Sequence, residues 1–392
     1  MKRTICLVIR NLQSGRSRLQ PWKYLLETAR GLASTGHEVT ILTHRKTWQP
    51  ARLSADGMLE YLRPPAAPGA APGWRGGGPL TAILRQLDPD VVLWHVGLSS
   101  FLHHGFSCAA RARSVGIFTS PIYTWSELVH AGLFRLAANP SLSAIHLATA
   151  LVPDVWMRRA VANSGLSCIV TETLTTARAL LSRQLWEGPL RTILPGVDDL
   201  WNADWGASGQ ALRTSLGYGA DDRVVVFMGS PAPLRGLPVL LKAFRRASTR
   251  NGALRLLVLS RGKEAGQTSL RVSQDRDGLV RWVQGTLDPK QLARHVAMAD
   301  AVVLPFVLLP SDAPLSVLEA LALGKPVVTT RIGCLPELAD QGVSFLAEPG
   351  DVESLADAMT AVAQLGGAAG SARQRRTWQQ AGKDWSYLIE GL

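Results

Sequence analysis

One stretch constrains this chain more than any other: Leu309-Pro-Ser-Asp-Ala-Pro-Leu-Ser-Val-Leu-Glu-Ala-Leu-Ala-Leu-Gly-Lys-Pro-Val-Val328. It follows an apolar run, Ala301 to Pro305, that reads as a buried strand. Leu315, Leu318, Leu321 and Ala322 then recur at helical spacing, so a helix is predicted. Pro314 suits its first turn, where a missing N–H costs little. Gly324 ends it, and Pro326 to Thr330 begins another strand. In an open parallel sheet, such a strand–loop–helix unit points free N–H groups and a positive dipole end into the ligand crevice. Glu319 stands in the middle of this apolar helix and needs a partner if buried.

Composition narrows the class. A chain of 392 residues with 46% hydrophobic and 18% charged residues suits two domains with real cores. The formal net charge of +12 attracts anions such as nucleotides, acidic glycans or anionic headgroups. That charge is spread along the chain and not clustered among aromatics, so nucleic acid is not an expected partner. Cys6, Cys108, Cys168 and Cys334 are scattered, which fits reduced thiols in a cytoplasm and neither a disulfide framework nor a zinc site. The run Thr4 to Ile9 is too short for a signal peptide, and no run approaches the length of a membrane span.

The first half begins with a strand at Thr4–Ile9. A polar loop containing Gly15 follows, then a helix marked by Trp22, Leu25, Leu26, Ala29, Leu32 and Ala33, and a second strand near His37–Thr43. There is no GxGxxG, which removes the main support for a dinucleotide oxidoreductase. Residues 64–79 are rich in Pro and Gly and read as an irregular excursion. It is either a surface insertion or a flap carrying Trp74 and Arg75. Asp88-Pro-Asp90 reads as a turn into a strand, and His95 follows near that strand's end, at the edge where such sheets bind ligands. Gly116–Thr119 and Cys168–Thr171 look like further strands. The helical stretch between them carries Trp156, Arg158 and Arg159. It either packs with a solvated basic edge or rests on a membrane surface.

A second α/β unit starts at the strand Arg223–Met228. Gly229-Ser-Pro-Ala-Pro-Leu-Arg-Gly236 follows, then a helix with Leu237, Leu240, Leu241, Phe244 and Ala247 inward. Arg235 offers a planar fork that binds phosphate bidentately. Strands at Leu254–Leu259 and Arg281–Gly285 and a helix from Pro289 to Ala299 lead into the stretch that opened this section. Val352–Leu365 reads as a closing amphipathic helix.

Glu319-Ala-Leu-Ala-Leu-Gly-Lys-Pro-Val327 resembles the second half of the Glu-x7-Glu signature of the group 1 retaining glycosyltransferases. Arg191–Asp198, Arg331–Leu338 and Gly342–Asp351 resemble further passages of that family. Where its first Glu stands, this chain has Ser311 with Asp312 beside it. Where it has Gly-Arg and then Lys-Gly, this chain has Gly229-Ser230 and then Arg235-Gly236. The resemblance implies an α/β GT-B fold, two Rossmann-like domains facing across a cleft. It implies an acceptor-side domain over 1–196, a nucleotide-sugar domain over 197–372, and a tail, 373–392, that crosses back.

By the same resemblance Glu319 holds the donor ribose. Arg235, Ser311, Leu315, Ser316, Gly229, Ser230 and Gly15 line the donor site, and Asp312 and His95 are the catalytic candidates. Asp312 either substitutes for the absent Glu or only favours the helix start through the dipole. Asp88-Pro-Asp90 looks like the metal-binding DxD of the other main glycosyltransferase fold, but no metal or cofactor is expected. A helix N-terminus plus Arg235 can stabilise a leaving diphosphate without one. The expected partners are a nucleotide sugar and a glycan, lipid-linked or small-molecule acceptor. The expected setting is cytoplasmic, with contact to an anionic membrane surface as an option. The departures at Ser230 and Ser311 leave open a lapsed transferase that binds a nucleotide sugar or glycan without turnover.

Overall fold

The computed structural model describes residues 2–10, 12, 19–44, 48–53, 59–61, 79–103, 106, 112–132, 136–137, 140–260, 270–365 and 375–392. Gly15, Trp74, Arg75 and all of 64–79 but its last residue lie outside the described residues.

The first half builds one sheet from β1 (Thr4–Arg10), β2 (Glu38–His44), β3 (Trp48–Leu53), β4 (Leu59–Tyr61), β5 (Val91–Val96), β6 (Arg113–Phe118), β7 (Cys168–Thr171) and β8 (Leu190–Thr192). Its strand order is β4-β3-β2-β1-β5-β6-β7-β8. Ile5 pairs in parallel with Val39 on one side and Val91 on the other. The helices are α1 (Trp22–Ser34), α2 (Pro79–Leu87), α3 (Leu98–His103), α4 (Trp125–Ala131), α5 (Pro140–Leu151), α6 (Asp154–Ala162) and α7 (Leu174–Ser182). Covered on both faces, the central strands are apolar throughout: Ile5, Cys6, Leu7, Val8 and Ile9 are all buried.

The second half holds α8 (Gly206–Ser215), β9 (Arg223–Gly229), α9 (Leu237–Arg250), β10 (Leu254–Ser260), β11 (Arg271–Gln274), β12 (Val280–Gln284), α10 (Pro289–Ala297), β13 (Ala301–Val303), α11 (Leu315–Ala322), β14 (Val327–Thr330), α12 (Leu335–Ala339), β15 (Ser344–Ala347), α13 (Val352–Gln364) and α14 (Trp378–Glu390). Its sheet runs β11-β12-β10-β9-β13-β14-β15. Both sheets grow outward from their first strand and reverse direction beside it, between β1 and β5 and between β9 and β13. Those reversals are where open α/β sheets form their ligand crevices.

Both sheets are mainly parallel, as expected. At an edge of each the pairing is antiparallel, β3 and β4 in the first sheet and β11 in the second, because an edge strand joined to its neighbour through a short connection needs no crossover helix. Pro314 also stands just outside α11, as its extended N-cap (φ −71°, ψ 111°), and not in the first turn.

The C-terminal end of the chain ties back in two places. Val197 forms a parallel bridge with Thr377, and α14 lies on α1. That packing is close because Gly31 faces Gly382: a Cβ on Gly31 would stand 2.4 Å from the Gly382 Cα. Trp378 and Trp385 of α14 pack around Tyr24 of α1 at 6.2 and 6.4 Å, and His37 Nε2 lies 3.0 Å from Ser386 Oγ. Asp88 takes a positive φ of 40°. Asp90 accepts from the Thr4 amide (2.7 Å) and hydroxyl (2.9 Å), so Asp88-Pro-Asp90 closes a turn that ties β5 to β1.

Candidate active site

Two loops leave the second sheet at its reversal. The first follows β9: Gly229 ends the strand at φ +148°, and a Cβ there would lie 3.1 Å from Arg235 Nη1. The Arg235 guanidinium carbon sits 5.5 Å from the Phe306 ring centroid, so the cation crosses the strand end over an aromatic floor. Gly236 fixes the spacing of the two loops. At φ +80° its Cβ position falls 1.8 Å from the Pro305 carbonyl oxygen, so only glycine fits. The Leu234 carbonyl oxygen accepts from the amides of Val307 (2.9 Å) and Leu308 (3.1 Å). Ser230 Oγ accepts a long bond from the Ala232 amide (3.4 Å).

The second loop, residues 304–314, runs from β13 to α11, and the first domain binds it at Leu309, Asp312 and Ala313. Tyr123 Oη donates to the Leu309 carbonyl oxygen (3.1 Å) and accepts from the Leu309 amide (2.5 Å). The Asp312 amide donates to the Thr119 carbonyl oxygen (2.8 Å). The Ala313 amide donates to Glu172 Oε2 (3.2 Å), and Gln20 Nε2 donates to that oxygen (3.3 Å) and to the Ala313 carbonyl oxygen (3.1 Å). Asp312 Oδ1 accepts from the hydroxyls of Thr173 (2.8 Å) and Thr176 (2.6 Å) at the start of α7. Glu337, on α12, accepts from the amides of Leu174 (3.0 Å) and Thr175 (2.7 Å) and from the Thr175 hydroxyl (2.8 Å). Two carboxylates of the second domain thus hold the N-terminus of a first-domain helix, where free N–H groups and the dipole favour negative charge.

This contact changes the acids. Burial pushes the Asp312 carboxyl up to about 7, against the two threonine hydroxyls that favour its charged form. Burial, and next the charge of Asp312, raise Glu172 well above the usual carboxylate range. One oxygen of each, Glu172 Oε1 and Asp312 Oδ2, is buried with no hydrogen-bond partner among the described residues.

The structure therefore brings some of the expected residues together and separates others. Arg235, Gly229 and Ser230 line the β9 loop. Leu315 is buried at the head of α11, while Ser316 and Glu319 are half-buried on it. Ser311 and Asp312 are sealed against the first domain at 2% and 1% exposure, with Asp312 bonded to Thr173 and Thr176 and not facing open cleft. His95 Nε2 bonds Thr119 Oγ1 (2.9 Å), one residue's carbonyl away from Asp312. Among the described residues no group of three or more His, Cys, Asp or Glu is arranged to hold a metal.

Sequence reasoning missed Glu172, Thr173, Thr176, Gln20 and Tyr123. The one available signal was the run Glu172-Thr-Leu-Thr-Thr176 directly after a strand, since Thr173 at a strand-to-helix step is an N-cap pattern; its hydroxyl does accept from the Thr176 amide.

A family model described as glycosyl transferases group 1 matches residues 222–364, and one described as glycosyltransferase family 4 matches residues 22–199. Over 187 residues the chain is 36% identical to the D-inositol 3-phosphate glycosyltransferase of Saccharomonospora viridis, covering 44% of this chain and 42% of that protein. It is 28% identical over 153 residues to the lipopolysaccharide 1,2-N-acetylglucosaminetransferase of Salmonella typhimurium, covering 37% and 40%. The match spans less than half the length of these curated relatives. Among solved structures, sucrose-phosphate synthase from Thermosynechococcus elongatus superimposes with a TM-score of 0.62 at 17% identity, covering 100% of this chain and 95% of that one. Anabaena Alr3699/HepE in complex with UDP-glucose gives 0.57 at 15%, with both chains fully covered.

Proposed function

The chain has the GT-B fold and matches glycosyltransferase family models over both halves, and on that premise we propose that it transfers a sugar from a nucleotide-diphosphate donor to a glycan, lipid-linked or small-molecule acceptor. The observation that carries this reading is Arg235. Its guanidinium crosses the end of β9 at the sheet reversal, passing close over Gly229 and above the Phe306 ring. Charge building up on a leaving diphosphate is stabilised there by Arg235 and by the N-terminal amides of α11. Glu319, four residues into α11, is the acceptor for the donor ribose. Retention of anomeric configuration, catalysis without a metal and a cytoplasmic setting are parts of the same proposal.

Arg235→Ala should weaken binding of the matching nucleoside diphosphate at least tenfold, the loss of one charge-assisted pair. Calorimetry with UDP, GDP and ADP, together with a nucleotide-sugar panel scored for released nucleoside diphosphate in chelator, tests it. Equal affinity in wild type and variant for every nucleotide bound would overturn the assignment of Arg235.

A second reading draws on the burial of Ser311 and Asp312. A chain that binds donor but cannot open this loop is a binding partner of an active transferase, and it would show nucleotide binding without turnover. A membrane-bound acceptor is favoured by Trp125, Val129, Val155 and Trp156, which are all more than half exposed, with Arg159 exposed one turn on from Val155 and Trp156. Apolar side chains flanked by cations suit an anionic lipid surface. Sedimentation with anionic vesicles at low salt should carry the protein down, and Trp156→Ser should reduce it.

A further inference from the structure

The 304–314 loop is held from two sides, and the change comes at Leu309. Up to Leu308 its backbone bonds stay within the second domain. The Leu304 amide donates to the Val328 carbonyl oxygen (2.8 Å), and the Leu304 and Phe306 carbonyl oxygens accept from the hydroxyls of Thr329 (2.8 Å) and Thr330 (2.6 Å). The Leu234 carbonyl oxygen takes the amides of Val307 and Leu308. From Leu309 to Ala313 the bonds cross to the first domain, apart from the Cys334 thiol on the Asp312 carbonyl oxygen (2.7 Å). The groups that hold this second half stand at the carboxyl ends of two strands: Thr119 directly follows β6, Glu172 directly follows β7, and Tyr123 lies shortly after Thr119. Tyr123 serves both polar backbone groups of one residue with a single hydroxyl, which donates to the Leu309 carbonyl oxygen and accepts from the Leu309 amide. Tyr123 and Leu309 are buried, at 4% and 0% exposure, so without that hydroxyl both Leu309 groups would be shut away from water. The His146 ring packs edge-on against the phenol at 5.0 Å.

We propose that Tyr123 is a positioning residue for the donor site: from the first domain it sets the half of the loop that leads into α11, and Glu172 does the same at Ala313. Leu315 opens α11 directly after the Pro314 cap, and the N-terminal amides of that helix take the diphosphate in the reading above, on which this inference rests. A loop fixed only at its own sheet would leave those amides free to swing. Fixed also at Leu309, Asp312 and Ala313, it holds them in one place before a nucleotide arrives. Grip and ligand are then linked. A nucleoside diphosphate that binds best to the gripped loop strengthens the grip, by the same free energy with which the grip favours the nucleotide. The first domain thereby takes part in donor binding through the backbone of the second.

The test is amide hydrogen exchange on the full chain, with and without whichever of UDP, GDP and ADP calorimetry shows to bind. At about 100 times its Kd, that nucleotide should raise protection of the Leu309, Asp312 and Ala313 amides about 100-fold. Tyr123→Phe keeps the ring and loses the hydroxyl. Without nucleotide, its Leu309 amide should lose about 25-fold in protection, about fivefold for each orphaned group, while Val307 and Leu308 stay within about twofold of wild type. Glu172→Ala should lose about fivefold or more at Ala313, and Glu172→Gln, which keeps an oxygen for that amide, should recover most of it. A nucleotide that binds yet leaves the three amides unchanged, or exposes them, overturns the positioning role. So does a Tyr123→Phe protein with wild-type protection at Leu309. A wild type that binds none of the three nucleotides in calorimetry overturns the donor reading and this inference with it, so the two failures are told apart.

Discussion

Glu337→Ala isolates the hold that one domain has on the other. The first N–H groups of an α-helix have no partner inside the helix. For α7, the Leu174 and Thr175 amides are served from the second domain by the Glu337 carboxylate at 3.0 and 2.7 Å, and the Thr175 hydroxyl adds a third bond at 2.8 Å. Truncation removes all three. Water can replace part of the loss because Glu337 is only half-buried, and Thr173 still caps the Thr176 amide. Losing a helix cap costs about 0.5–2 kcal/mol, and bonds to a charged acceptor are worth about 1.5–3 kcal/mol each before solvent compensation. A net loss of about 2 kcal/mol is expected, or about a 30-fold fall in protection at the two amides. Exchange read residue by residue should show that fall at Leu174 and Thr175 while the central strand β6 stays protected. Thr175→Val should recover about 1 kcal/mol of coupling with Glu337→Ala in a double-mutant cycle. Protection at Leu174 and Thr175 within twofold of wild type would refute the idea that the domains close on one another through this helix.

Three other outcomes follow from local geometry. Gly236→Ala should destabilise by about 3 kcal/mol or more, because a Cβ at φ +80° would lie 1.8 Å from the Pro305 carbonyl oxygen and force the β9 and β13 loops apart; thermal melting and proteolysis between residues 229 and 237 check it. Arg213 donates to the Met298 carbonyl oxygen and to Asp300, each at 3.0 Å, while nearly buried, so Arg213→Met should cost about 3–5 kcal/mol in urea unfolding. His146 is buried against Tyr123 at 5.0 Å, and burial lowers it to about 4. The unfolded chain takes up this proton below its usual value of 6.5 while the folded one does not, so stability falls as pH drops from about 6.5 towards 4, by about 3 kcal/mol in all. His146→Leu should remove that acid sensitivity, and an acid-unfolding midpoint unchanged by the substitution would contradict it.

The sequence by itself determined the two α/β units. Buried parallel strands must be apolar along their whole length, and helices must show a 3.6-residue stripe, so β1, β9, β10 and β13 and helices α1, α9, α11 and α13 could be read from their residues. The short edge strands β3, β4 and β11 could not. Their pairing depends on which neighbour the chain returns to, and β11 is exposed along its length, with no apolar face to mark it. The same division holds at the candidate site. The places of Arg235 and Gly236 in the loop after β9 and of Glu319 on α11 were legible because each is tied to its own loop or helix, where local spacing carries the information. The surroundings of Asp312 were not. Its partners Thr173 and Thr176 lie 139 and 136 residues away along the chain, and Glu172 meets Ala313 across 141. Whether an acid beside a helix start faces a ligand, water or another domain depends on how the two sheets dock. Docking is decided by the fit of whole surfaces, such as the Gly31–Gly382 contact that lets α14 lie on α1. Only the tertiary structure could therefore show Asp312, read from sequence as either a sugar contact or a charge favouring the helix start, to be a buried link between domains, because its low-dielectric surroundings are made by residues that no local spacing records.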